Sequence, residues 1–125
     1  MIVDSTILVD LARGYEEAGK FLSGTDEPLC ISRVGMMEMV YGARTKQDVK
    51  QITTVMSHLG IEIVEISESI SKRGGELFDQ FWHSRGLGIM DAFIAATALI
   101  NGAKLATHNT KNFRFIKGLK LMVSY

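Results

Sequence analysis

The sequence predicts an α/β sandwich around a mostly parallel sheet. Short apolar runs of strand character recur at residues 1–3, 28–31, 61–66, 104–107 and 119–123. Helical periodicity fills most of the intervals between them. Strands separated by helices need crossover connections, and crossovers produce parallel pairing. The size suits one domain, residues 1–125, and a composition with 46% hydrophobic and 22% charged residues suits a globular chain rather than a disordered one.

The elements follow in order. Met1 to Val3 is a short buried strand ending at Asp4. Ser5 or Thr6 caps a helix to about Arg13, stopped by Gly14. A second short helix spans Tyr15 to Leu22, and the turn Ser23-Gly24-Thr25-Asp26 leads to a strand over Pro28 to Ile31. Ser32 caps a helix through Arg44, and a polar helix from Gln47 to His58 stops at Gly60. Ile61 to Ile66 alternates apolar and acidic residues, as a strand near an edge does. Ser67 to Arg85 is amphipathic, with Ile70, Leu77, Phe78 and Phe81 on one face. Gly86 to Ile89 reads as a loop. Asp91 to Asn101 is apolar on nearly all sides and should be buried, ending at Gly102. Two strands remain, Lys104 to Thr107 and Leu119 to Val123.

Several function classes drop out. The single cysteine, Cys30, leaves no internal disulfide and no cysteine-built zinc site. His58, His83 and His108 lack metal-ligand spacing. Gly86-Leu87-Gly88 begins like a dinucleotide fingerprint, but Asp91 stands at its third glycine and no strand precedes it. No apolar run reaches the ~20 residues of a membrane span. The opening Met1-Ile2-Val3-Asp4 lacks a basic leader and an apolar signal segment, so no membrane association and a cytoplasmic location are expected. The formal net charge of zero argues at first against nucleic acid. It is a cancellation, however. Residues 1–91 carry 9 bases and 14 acids, and residues 92–125 carry five bases and no acid. Such asymmetry points to polyanion contact, and also fits a plain lysine-rich surface.

Three carboxylates stand where a fold ordinarily avoids or confines charge. Asp4 follows a buried strand, where α/β proteins place ligand sites, and a helix cap is the plain alternative. Glu38 shares a helix face with Val34 and Tyr41, beside Met37, and a buried salt bridge would also account for it. Asp91 opens the most apolar helix, where an anion also caps favourably. Thr107-His108-Asn109-Thr110 follows a strand as Asp4 does. Gathered at one sheet end, three carboxylates repel each other unless a cation is present. Hard oxygen ligands select Mg²⁺ or Mn²⁺, ions suited to phosphodiester hydrolysis. The Met36-Met37-Glu38-Met39 cluster and Trp82, next to Phe78 and Phe81, are expected to be packing residues, with Trp82 also a candidate partner contact.

Four segments in order resemble the PIN-domain ribonucleases, specifically the VapC-type toxins of toxin–antitoxin pairs. They are Ile2-Val-Asp-Ser-Thr-Ile-Leu-Val, Ser32-Arg-Val-Gly-Met-Met-Glu-Met-Val-Tyr-Gly-Ala, Ile89-Met-Asp-Ala-Phe-Ile-Ala-Ala-Thr-Ala and Leu105-Ala-Thr-His-Asn-Thr-Lys-Asn-Phe. The resemblance spans essentially the whole chain, and the third segment is the most specific. It implies a three-layer α/β/α sandwich with a central, mostly parallel five-stranded sheet. It also implies an endoribonuclease dependent on Mg²⁺ or Mn²⁺, with Asp4, Glu38 and Asp91 holding metal and Thr6 as the supporting hydroxyl. Many members carry a fourth acid two residues after the threonine. Asn109 stands there, so Thr107 and Asn109 are expected to orient water or phosphate. Lys111 and Arg114 are the candidate contacts to RNA phosphates. The implied partners are an RNA substrate, a VapB-like antitoxin whose tail blocks the groove, a second copy in a homodimer, and operator DNA reached only through the antitoxin. The competing readings are a non-catalytic PIN-like binding module and a PIN nuclease of RNA processing outside a toxin pair. A phosphatase of another α/β fold is disfavoured by the lack of an Asp-x-Asp motif.

Overall fold

The computed structural model describes residues 1–122 and Tyr125. Its sheet holds five strands, β1 (Ile2–Val3), β2 (Cys30–Ser32), β3 (Glu62–Val64), β4 (Leu105–Ala106) and β5 (Leu121–Met122). Their order is β3-β2-β1-β4-β5, and every pairing is parallel, so the expected mostly parallel sheet is parallel throughout. In register, Ile2 lies between Cys30 and Leu105. Val123, the end of the expected last strand, lies outside the described residues.

Six helices cover the sheet: α1 (Ser5–Ala12), α2 (Glu16–Ser23), α3 (Arg33–Gly42), α4 (Lys46–Leu59), α5 (Glu68–Arg85) and α6 (Ile89–Ile100). The strand period of two sorts the core into two halves. Val3, Ile31 and Ala106 face one way and join Ile7, Leu8, Leu22, Ile52 and Met56 of α1, α2 and α4. Ile2 and Leu105 face the other way and join Ile70, Leu77 and Ile94 of α5 and α6. Helix α3 serves both, sending Met36 and Met39 to the first half and Val34 to the second.

Local chemistry sets most helix ends. Ser32 Oγ accepts from Gly35 N at 2.9 Å, and Ser67 Oγ accepts from Ile70 N at 3.2 Å. Gly60 and Gly86 close α4 and α5 at φ of 66° and 68°, where a side chain would be strained. Other ends differ from expectation. Asp4 takes the N-cap position of α1 in place of Ser5 or Thr6. Thr45 caps α4, accepting from Asp48 N at 3.1 Å. The segment read as a loop already turns helical at Ile89, because Gly88 supplies the extended backbone of an N-cap. Asp91 therefore lies in the first turn of α6 rather than opening it. The methionine cluster also divides: Met36 and Met39 are buried, but Met37 is 58% exposed. Tyr41 is 93% exposed, so the expected apolar face through Val34, Glu38 and Tyr41 does not exist. A ten-residue helix touching both core halves turns its remaining side outward.

Helices α5 and α6 pack so closely that a Cβ on Gly74 would meet Phe93 Cδ1 at 3.0 Å, whereas one on Gly75 would meet nothing. Gly74→Ala is expected to destabilise the fold by about 1–3 kcal/mol through overpacking. Gly75→Ala should stabilise it by about 0.5–1 kcal/mol through helix propensity. Denaturant titration of the two variants checks the pair, and equal effects would contradict the close approach.

Candidate active site

Asp4 is 7% exposed and leaves β1 at its carboxyl end. Its N–H donates to Ala106 O at 2.9 Å, and its own carbonyl accepts from Ile7 N at 3.1 Å. Its side chain makes no capping bond to α1. Instead Asp4 Oδ2 accepts from Thr107 Oγ1 at 2.7 Å, across 103 residues of chain. Thr107 is fully buried, and its Oγ1 also accepts from Asn109 N at 3.0 Å. Asp4 thus holds the N-cap position without capping by its carboxylate, which is turned toward the end of the neighbouring strand.

Glu38 fails its plain reading. No ion pair among the described residues includes it, and its Oε1 is buried without a hydrogen-bond partner. Its neighbours in charge are Asp4 and Asp91, both of its own sign. Burial first, then the charges of Asp4 and Asp91, push its carboxyl above the usual range, while the Ser5 hydroxyl pulls the other way. Asp91 is half-buried and likewise raised, first by burial and then by Asp4. The cap of α6 is Gly88, with no side-chain cap bond.

β1, α3 and α6 thus bring Asp4, Glu38 and Asp91 within one another's electrostatic reach at the carboxyl end of the sheet. The donor set is all hard oxygen, and one buried oxygen still lacks a partner, which suits a cation such as Mg²⁺ or Mn²⁺. No three His, Cys, Asp or Glu side chains among the described residues close around a single point as a finished metal shell would.

The other expected residues divide. Thr107 joins the site through Asp4. Asn109 is exposed at the turn after β4, where only its backbone N–H is tied to Thr107. Lys111 and Arg114 are exposed just beyond it, around a short 3₁₀ turn over Thr110–Asn112. Thr6 Oγ1 is buried with no partner, and Ser5 supplies the hydroxyl beside Glu38. Its position directly after Asp4 was the available signal. Ser5 and Glu38 also line a cleft of about 640 Å³ between α1, α3 and α4, with apolar walls from Val9, Met39 and Ile52.

Raised carboxyls carry a defined pH signature. Folded Glu38 and Asp91 hold protons that the unfolded chain releases near the ordinary values of 4.5 and 3.8. The contribution of these two groups to metal-free stability should therefore be full at or below that range and fall as pH rises through the raised values. Glu38→Gln, which removes one charge, should raise the melting temperature in EDTA at pH 7, with the gain vanishing near pH 4. Equal melting of both proteins at pH 7 would contradict the crowding of like charge.

Comparison with known proteins gives this geometry a family. The PIN domain profile matches residues 1–119. The chain is 30% identical to Ribonuclease VapC10 of Mycobacterium tuberculosis, covering 96% of this chain and 90% of the relative. Among solved structures, a toxin-antitoxin complex from Klebsiella pneumoniae superposes with a TM-score of 0.82 at 31% identity, over 99% of this chain and 97% of that one. VapBC2 from Rickettsia felis, bound to a DNA fragment from its promoter, superposes with a TM-score of 0.79 at 25% identity, over 97% and 96%. With three carboxylates gathered where the parallel strands end, and with these likenesses along its length, the chain belongs to the PIN-domain family, among its VapC ribonucleases.

Proposed function

We propose that this single-domain protein is a metal-dependent endoribonuclease, the toxin of a toxin–antitoxin pair. The observation that carries the reading is the buried Glu38 oxygen without a partner, facing Asp4 and Asp91 in a chain similar to VapC ribonucleases. Asp4, Glu38 and Asp91 would hold one Mg²⁺ or Mn²⁺, with a second joining only when RNA is bound. When bound, the ion would supply a water of lowered pKa and charge neutralisation at the scissile phosphate. Thr107 fixes the Asp4 carboxylate, so that the other oxygen is offered to the cation. Ser5 takes the part expected of Thr6 and steadies Glu38. Asn109 contributes a neutral amide at the rim, to water or to a phosphate oxygen. Lys111 and Arg114 neutralise flanking phosphates.

The same reading includes partners. The cleft beside Ser5 and Glu38 is open to an antitoxin tail, which would cover the carboxylates and block RNA. Operator DNA is reached through that antitoxin, in keeping with the promoter-bound Rickettsia felis complex. Met37, Val40 and Tyr41 form an exposed apolar stretch on α3, suited to a second copy in a homodimer. No helix of the described residues is long and apolar enough to cross a membrane.

RNA cleavage by the wild-type chain is expected with Mg²⁺ or Mn²⁺ and not with EDTA. Asp91→Asn, matched for folding by circular dichroism, should lose about 100-fold or more in rate, as loss of a group acting on developing charge does. Equal cleavage by mutant and wild type would remove Asp91 from the site. Absence of wild-type cleavage on any RNA would favour a binding module. Asn109→Asp tests the rim separately. Calorimetry should give unchanged or tighter Mg²⁺ binding, and weaker binding would contradict its place at the rim of the site.

A further inference from the structure

The last turn of α5 combines features that packing does not account for. Trp82 is 51% exposed, although it is the largest side chain on its helix. Its indole stacks on Phe78 with centroids 6.3 Å apart and planes 19° apart, and His83 stands edge-on at 5.3 Å. The ring is thus braced by two neighbours while half its surface remains open. Braced, open aromatics are how proteins present a face to an unstacked base.

The surroundings carry a charge that selects the occupant. No acid occurs between Asp79 and Asp91, and none follows Asp91 to Tyr125. Arg85 lies with its Cζ 5.8 Å from the Phe115 ring, and Phe81 meets the same ring at 5.0 Å. These contacts dock the segment carrying Lys111 and Arg114 against the turn that carries Trp82. Helix α5 ends at Arg85 and α6 begins at Ile89, so this turn stands beside the first turn of α6, which holds Asp91.

We propose that Trp82 is a base-stacking platform for single-stranded RNA flanking the scissile bond, with Arg85, Lys111 and Arg114 holding the adjoining phosphates. The proposal rests on the ribonuclease reading above and extends it to substrate form. A strand whose bases can splay out is engaged, whereas a closed duplex offers no free face to the indole. Sequence tolerance is expected at this position, because every base has a stacking face.

Trp82 is the only tryptophan, so its fluorescence reports this contact directly. Full-length protein in EDTA is titrated with a single-stranded oligoadenylate, while anisotropy of a labelled copy of the oligonucleotide records binding. Emission should be quenched in step with the anisotropy, and a DNA duplex of equal length should quench far less. Trp82→Leu should weaken oligoadenylate binding roughly 5- to 150-fold. With Mg²⁺ it should raise KM for single-stranded RNA and leave kcat nearly unchanged. Trp82→Phe should recover most of the affinity. RNA binding with unchanged emission, and equal affinity in Trp82→Leu, would overturn the platform while leaving the ribonuclease reading intact. An emission shift produced by raising protein concentration, to which RNA adds nothing, would assign the face to a second copy and overturn it too. A chain that neither binds nor cleaves RNA would overturn both readings together.

Discussion

The hydrogen bond from Thr107 Oγ1 to Asp4 Oδ2, 2.7 Å long and buried, joins the carboxyl ends of β1 and β4. It is the contact on which the site depends. A carboxylate at a helix N-terminus has a ready alternative, since the first-turn N–H groups attract it. Thr107 diverts Asp4 from that use and aims it across the sheet. Because Thr107 Oγ1 also receives Asn109 N–H, the turn after β4 is set by the same hydroxyl. Pairing of β1 with β4 brings the two residues together, so sheet order precedes site geometry.

The rest of the site follows from the crossing of α3 and α6 above those strand ends. Glu38 and Asp91 are each held above the ordinary pKa mainly by burial, with like charge adding to it. A fold accepts such a cost only where other terms offset it. Here two apolar core halves, one on each sheet face, supply the stability. Helix α3 takes part in both, which leaves Glu38 at the seam and turns Met37 and Tyr41 outward.

Charge is divided along similar lines. The chain sums to zero, yet its acids stop at Asp91 and its last third carries bases alone. Three acids belong to the carboxylate cluster, where a cation would neutralise them. Two of the five bases, Lys111 and Arg114, lie just beyond the turn after β4 on the segment docked by Phe115, whereas Lys104 pairs with Glu27 at 3.2 Å. Neutrality of the whole chain is therefore compatible with local attraction for a polyanion.

Much of this molecule was legible in the sequence, because the signals concerned are local. Apolar runs, the Ser32 cap and the glycine stop at Gly60 depend on a few adjacent residues, so strand and helix order followed from them. Asp4, Glu38 and Asp91 stood out because each sits where its own neighbours make charge expensive. What could not be read depends on contacts between distant segments. The sequence left Asp4 and Asp91 as possible caps and Glu38 as a possible salt-bridge partner. Only the assembled sheet excluded those readings, by giving Asp4 to Thr107 and surrounding Glu38 with its own charge. Placing Tyr41 on one apolar face with Val34 failed for the same kind of reason. A helix shows its period in sequence, but the direction of each face is decided by what packs against it.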